Sequence, residues 1–333
     1  MGPAFSKVCS FRRILSAFVL ALLGTLALEA SAQAQNYPNR AIRLICPFPP
    51  GGVADVTARV VGQKLSEVLG QPVVIENRTG ASGTIGPDVV AKSTPDGYTL
   101  LMTTGDFITT PTLMPPMAFD PKKDLIPITM AATAPLLLVA NPGVGIGDVK
   151  DLIAKAKAAP GSIAYSSPGL GTINHLAVEW VAIEGGVKLL HVPYRGGTPA
   201  ATAVLTGEVQ IGAVTPSSGM GAIESGKAKV IGFMTKQRPS FTPAWPTLAE
   251  SGLDVDAALW VGLFAPAGTP PEIVAKLDAE MVKILADPTV RQRLNAAGTD
   301  PHPLSQNAFV QRIDVDASRY LRIIQQLGLK PQH

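Results

Sequence analysis

Residues 41–69, AIRLICPFPPGGVADVTARVVGQKLSEVL, hold a strand, a rigid loop and a helix in close succession. Ile42–Cys46 is a short apolar run of strand length. Pro47, Pro49, Pro50, Gly51 and Gly52 follow. Then Val56, Val60, Val61, Leu65, Val68 and Leu69 recur at helical spacing, with Arg59, Gln63, Lys64 and Glu67 between them. In an open α/β sheet, ligands bind beyond the carboxyl ends of the strands. A glycine pair at a helix start exposes backbone N–H groups at the positive end of the helix dipole, which suits an anion. The same letters also fit an ordinary βα turn, so the case rests on recurrence.

Outward from that unit the alternation repeats. A strand at 73–76 leads through the small-residue loop 77–83 to a helix near 87–92. Pro95-Asp96-Gly97 is a turn, and 98–103 reads as a third strand. Residues 111–127 are proline-rich and read as irregular. A buried strand is expected at 136–140. Asp148 caps a helix over 149–158, ended by Pro160-Gly161. Strands at 163–166 and 189–192 each end in a glycine turn that opens a helix. Strands at 209–214, 229–234 and 259–264 follow. Thr269-Pro270-Pro271-Glu272 combines an N-cap, a proline in the first turn and a capping-box glutamate. Asp287-Pro288 opens a further helix, and Ser305 a last one reaching Leu327.

Composition narrows the function. Lys7, Arg12 and Arg13, the apolar run 14–28 and Ala32-Gln33-Ala34 read as a cleaved signal peptide over residues 1–34. That segment carries a net charge of +2, so about +1 of the chain's +3 remains. No basic excess is left for nucleic acid or a membrane surface. Of the two cysteines only Cys46 lies beyond the segment, inside the first apolar strand, where packing is its expected role. Removing 34 of 333 residues leaves a chain long enough for two ordinary domains.

Catalytic patterns are thin. Gly221-x4-Gly226-Lys227 has Walker A spacing, but Ala228 stands where a hydroxyl is required. No H-E-x-x-H pattern or Cys/His cluster occurs, so no metal and no cofactor is expected. Ser166, Ser167, Ser217 and Ser218 lie in no nucleophile elbow. His175 and His191 read as structural. The glycine turns are built for holding rather than transforming, and no enzyme is expected.

The run 37–55, YPNRAIRLICPFPPGGVAD, resembles the opening of the Bug family, the solute receptors of tripartite tricarboxylate transporters. GQPVVIENR (70–78), PDGYTLL (95–101), GLGTINHL (169–176), HVPYRG (191–196) and WVGLFAPAGTP (260–270) match in order along the whole chain beyond residue 34. The resemblance implies an α/β, two-domain periplasmic binding protein fold (type II, Venus-flytrap). Two strands would cross between lobes near 135–140 and 257–264. Lobe 1 would comprise 35–136 and 258–333, and lobe 2 137–257. The implied role is capture of a small carboxylate and its delivery to transporter membrane subunits, with a monomer expected.

Carried over residue by residue, Phe48, Gly51, Gly52, Ala81, Ser82, Gly83, Thr103 and Thr104 would form the first wall. Ser166, Gly171, Thr172, Tyr194, Arg195, Val214 and Thr215 would form the second. Arg195 can pair with a ligand carboxylate or stand solvated. Asp55 reads as structural, an acid favoured by the helix dipole. Many relatives carry an acid where Val214 stands, so a carboxylate without an amine is expected, aliphatic or aromatic. Asp55 or Asp106 could replace that acid, and Val214 could simply pack the strand end. Two other classes fit the same residues: a sensory receptor for a membrane kinase, and an exported hydrolase using Ser167 or Ser217.

Overall fold

The computed structural model describes residues 37–113, 118–239 and 245–329. The expected signal segment 1–34 and residues 114–117 of the irregular stretch lie outside them. Strand β1 (Ile42–Cys46) is buried at every position except Arg43, as an inner strand must be. It pairs in parallel with β2 (Val73–Asn77) and β3 (Thr99–Thr104). Helix α1 (Val53–Leu69) buries Val53, Val60, Val61 and Leu65 and stops where Gly70 turns left-handed. Helices α2 (Ile85–Ala91) and α3 (Asp106–Thr109) follow β2 and β3.

The chain then runs through β4 (Leu125–Pro135) straight into β5 (Leu137–Ala140), and in doing so changes sheets. The second sheet continues with helix α4 (Val149–Ala158), β6 (Ala164–Ser167), helix α5 (Ile173–Gly185) and β7 (Leu190–Pro193). Helix α6 (Gly197–Thr206), β8 (Ile211–Val214), helix α7 (Pro216–Glu224) and β9 (Lys229–Phe233) complete it. Strand β10 (Ala258–Pro266) returns the chain to the first sheet. There helices α8 (Pro271–Ala286) and α9 (Pro288–Ala296), β11 (Asp300–Leu304) and helix α10 (Gln306–Gln326) finish the described chain.

The strand orders are β11-β4-β10-β3-β1-β2 and β7-β6-β8-β5-β9. In each sheet the parallel strands feed their carboxyl ends toward one gap, and antiparallel strands carry the crossings. The crossings touch: Met234 N–H donates to Leu136 O at 2.8 Å, and Ala257 N–H to Met234 O at 2.6 Å. Behind them Trp260 is fully buried between Phe107 and Phe309 and donates its indole N–H to Asp316 at 3.1 Å. That packing anchors the crossing strand, and Thr109 Oγ1 donating to Gly171 O at 2.7 Å ties the two sheets together further.

Three expectations fail. Strand β4 covers the end of the stretch read as irregular. Its buried faces carry Ala131, Ala132, Ala134 and Thr129, so neither bulk nor alternation marks it. The edge strand β11 was missed because Pro301 and Pro303 speak against a strand, yet an edge tolerates proline. Thr269 does not cap α8. Its hydroxyl donates to Pro266 O at 2.8 Å, and Pro270 occupies the cap position.

Candidate functional site

The opening loop is held by one buried acid. Asp55, 1% exposed, accepts Gly51 N–H at 3.0 Å, Arg59 at 2.9 and 3.0 Å, and Asn77 Nδ2 at 2.9 Å. Burial alone would raise its pKa, but the Arg59, Asn77 and Gly51 bonds outweigh that and hold the carboxyl below its usual range. The structural reading of Asp55 thus has its mechanism. Asn77 also donates to Phe48 O at 2.9 Å, which sets the loop over the neighbouring turn.

That turn is strained. Ala81 and Ser82 have φ of 44° and 51°, left-handed values that cost an L-residue about 1–2 kcal/mol each. Gly83 continues the bend at φ 86°, and a Cβ there would lie 2.6 Å from the Phe48 ring. Gly83 and Thr84 turn their N–H groups onto Gly80 and Ala81 carbonyls. The amides of Ala81 and Ser82 take no part in that turn's bonds, and successive backbone N–H groups in such a turn suit an anion. Strain of this kind collects at binding sites.

From the second sheet, Thr172 caps α5: its hydroxyl accepts His175 N–H at 3.4 Å and donates to Gly169 O at 2.7 Å. Gly171 N–H donates to His175 Nδ1 at 3.2 Å. Below the turn, the rings of Tyr165, His191 and His175 stack with centroids 5.0 and 4.0 Å apart. Burial lowers His191 to about 4, and burial with the neighbouring ring lowers His175 to about 3, so both are neutral.

Two adjoining cavities lie between the walls. The outer, about 570 Å³, is bounded by Phe48, Ala81, Ser82, Gly83, Tyr194 and Arg195. The inner, about 30 Å³, is bounded by Gly52, Thr104, Asp106, Asn174, Thr215 and Ser218. Phe48 and Pro168 border both. Arg195 is exposed and has no ion-pair partner among the described residues.

The remaining expected residues stand elsewhere. Gly51 faces Thr198 across the gap, with its N–H already given to Asp55. Thr103 is buried in β3, and Ser166 points under Gly212 toward Val204. Gly171 and Thr172 shape the turn and border neither cavity. Val214 is 2% exposed, packed with Leu137, Val139 and Phe233 and pressed against Gly219. It too borders neither cavity, so its side chain belongs to the core of the second sheet. Sequence reading missed Asn174, Ser218 and Pro168, and named Asp106 only as a substitute. The sole signal for Asp106 was an acid just past the end of β3.

Ser167 Oγ lies 2.7 Å from His191 Nε2, a pairing the sequence did not foretell. It does not make a nucleophile. Ser167 is fully buried, donates to Gly169 O at 3.0 Å and accepts Gly169 N–H at 3.2 Å. A hydroxyl has one proton, so the assignment that satisfies all three contacts has His191 donating to Ser167.

Two lobes joined by crossing strands, with glycine turns and helix starts facing each other over a cavity, define a periplasmic solute-binding receptor. The chain belongs to the tripartite tricarboxylate transporter family receptors (TctC), whose sequence profile matches residues 57–329. Protein BugT of Bordetella pertussis is 34% identical over 319 residues, covering 94% of this chain and 98% of that one. Rpa4515 of R. palustris, solved with adipate, is similar with a TM-score of 0.86 at 30% identity, covering 89% of this chain and 100% of that one. MatC of Rhodopseudomonas palustris, solved with bound malate, gives 0.81 at 30% identity, covering 86% and 100%. The chain is accordingly a solute-binding receptor and not an enzyme.

Proposed function

We propose that this receptor captures a small carboxylate between its lobes and delivers it to the membrane subunits of a tripartite tricarboxylate transporter. The observation that carries the reading is the outer cavity, where Arg195, without an ion-pair partner among the described residues, the Ala81–Ser82 turn and the Gly196 start of α6 converge. Each favours a carboxylate, and together they need no covalent chemistry. Lobe 1 comprises 35–136 and 258–333, lobe 2 137–257. Residues 1–34 serve as the export signal, and the receptor works as a monomer. The narrower expectation of an amine-free ligand rested on Val214 facing the ligand, and the core position of that side chain leaves it without support.

The test pairs binding with uptake. Protein prepared gently from its host should release a small carboxylate, chemically unchanged, on denaturation and mass analysis. Cells lacking the receptor should lose high-affinity uptake of that compound. Normal uptake with a lost transcriptional response would favour the kinase-linked sensor. Steady turnover abolished by Ser167→Ala would overturn the receptor reading.

A further inference from the structure

The inner cavity is bordered by an acid with no basic side chain beside it among the described residues. Asp106 is 3% exposed; its Oδ1 accepts Ile173 N–H from the opposite lobe at 2.6 Å, and its Oδ2 accepts the Thr104 hydroxyl at 2.6 Å. Among the described residues bordering this cavity there is no lysine, arginine or histidine, and Asp106 is the one acid. The outer cavity is the reverse, with Arg195 as its one charged residue. The cleft is therefore polarised along its length, acid inside and base outside.

Helix starts argue the other way at first sight, because α1, α6 and α7 also direct their first turns at the inner cavity. A helix start favours an anion, but only by the equivalent of about half a charge, spent within one turn. The start of α5 is already occupied by Asp106 itself, through Ile173 N–H. Two amides of the first turn of α7 go back to Thr215 O. The anion that this corner is built to hold is thus supplied by the chain. A ligand carboxylate placed there would lie directly against the Asp106 carboxylate, and two adjacent carboxylates disfavour ionising together. That space suits a single small group such as an ammonium or a hydroxyl. Burial raises the Asp106 pKa despite its hydrogen bonds to Thr104 and Ile173, so a donor group placed against it would be welcome.

We propose that Asp106 is the specificity-determining residue of the cleft, receiving a hydrogen-bond-donating group of the ligand while the ligand's carboxylate lies outward at Arg195. The substrate class is a small carboxylate with an amino or hydroxyl group at its far end, not a dicarboxylate. This rests on the carboxylate-receptor reading and sharpens it.

Calorimetry on matched sets tests it. One set is butyrate, 4-hydroxybutyrate, 4-aminobutyrate and succinate; the others are the six-carbon and para-substituted benzoate equivalents. In the best-bound set the amino or hydroxyl member should bind at least about tenfold more tightly than the dicarboxylate. Asp106→Asn, which keeps an acceptor for Ile173 N–H, should shrink that ratio to within about threefold. If the dicarboxylate or the unsubstituted acid binds best to the wild type, the assignment of Asp106 fails while the receptor reading stands. An unchanged ranking in folded Asp106→Asn also overturns the assignment. If no member of any set binds, the carboxylate reading fails with it. Should the variant not fold, the wild-type ranking decides alone.

Discussion

His175 and His191 show how far a single residue type can mislead. Both sit beside glycine turns, where a histidine invites an acid–base role, yet both are stacked and neutral, His175 buried and His191 half-buried. Their lowered pKa values have a consequence for stability. Unfolded, each binds a proton as the pH falls through about 6.5. Folded, His191 resists to about 4 and His175 to about 3. The unfolded chain therefore holds more protons in that window, and stability is full above about 6.5 and declines as the pH falls. Urea unfolding should show a loss of about 1 kcal/mol or more between pH 7 and 5. The loss should be smaller in His191→Phe. A flat profile would mean the rings are not buried in the neutral form. Asp55, by contrast, was legible: an acid in a first helical turn is favoured locally, and the loop's own amide completes its bonding.

Among the elements, periodicity served well wherever one face is buried. Helices α1 and α4 start and stop within a few residues of where their patterns place them, and Asp148 caps α4 through Asp151 N–H at 2.9 Å. It served badly for β4 and β11, the strands beside β10 and at the sheet edge, because small residues and prolines erase the pattern there. The start of α5 is the element on which the second wall depends. Thr172 both caps the helix and ties down Gly169 O, so Thr172→Ala should cost about 1–2 kcal/mol in denaturant unfolding. A change below a few tenths would show that Asp106, bonded to Ile173 N–H, suffices as the cap.

For the whole molecule the decisive geometry is the approach of the two lobes. Gly196 has φ 113°, and a Cβ there would lie 2.7 and 2.9 Å from the ring of Pro49 on the opposite wall. A proline ring cannot swing aside as a flexible side chain would. Gly196→Ala should therefore prop the lobes apart. With saturating ligand its radius of gyration by small-angle scattering should stay above that of the wild type, and affinity should fall about tenfold or more. Contraction equal to that of the wild type would show that the contact yields and is no limit to closure.

Most of the element order, the glycine turns and the family were written in the chain, because each depends on neighbours within a few residues or on a run of matching letters. Which side chains border the cleft was not. Adjacent positions on a strand point to opposite sides, so Ser166 and Ser167 face apart; Val214 ends β8 in the core, while Thr215, at the cap of α7, borders the cavity. Asp106 is held by the nearby Thr104 hydroxyl and, across the lobes, by Ile173, 67 residues away. A partner at that distance is brought into reach by the crossing strands, and no local pattern encodes it.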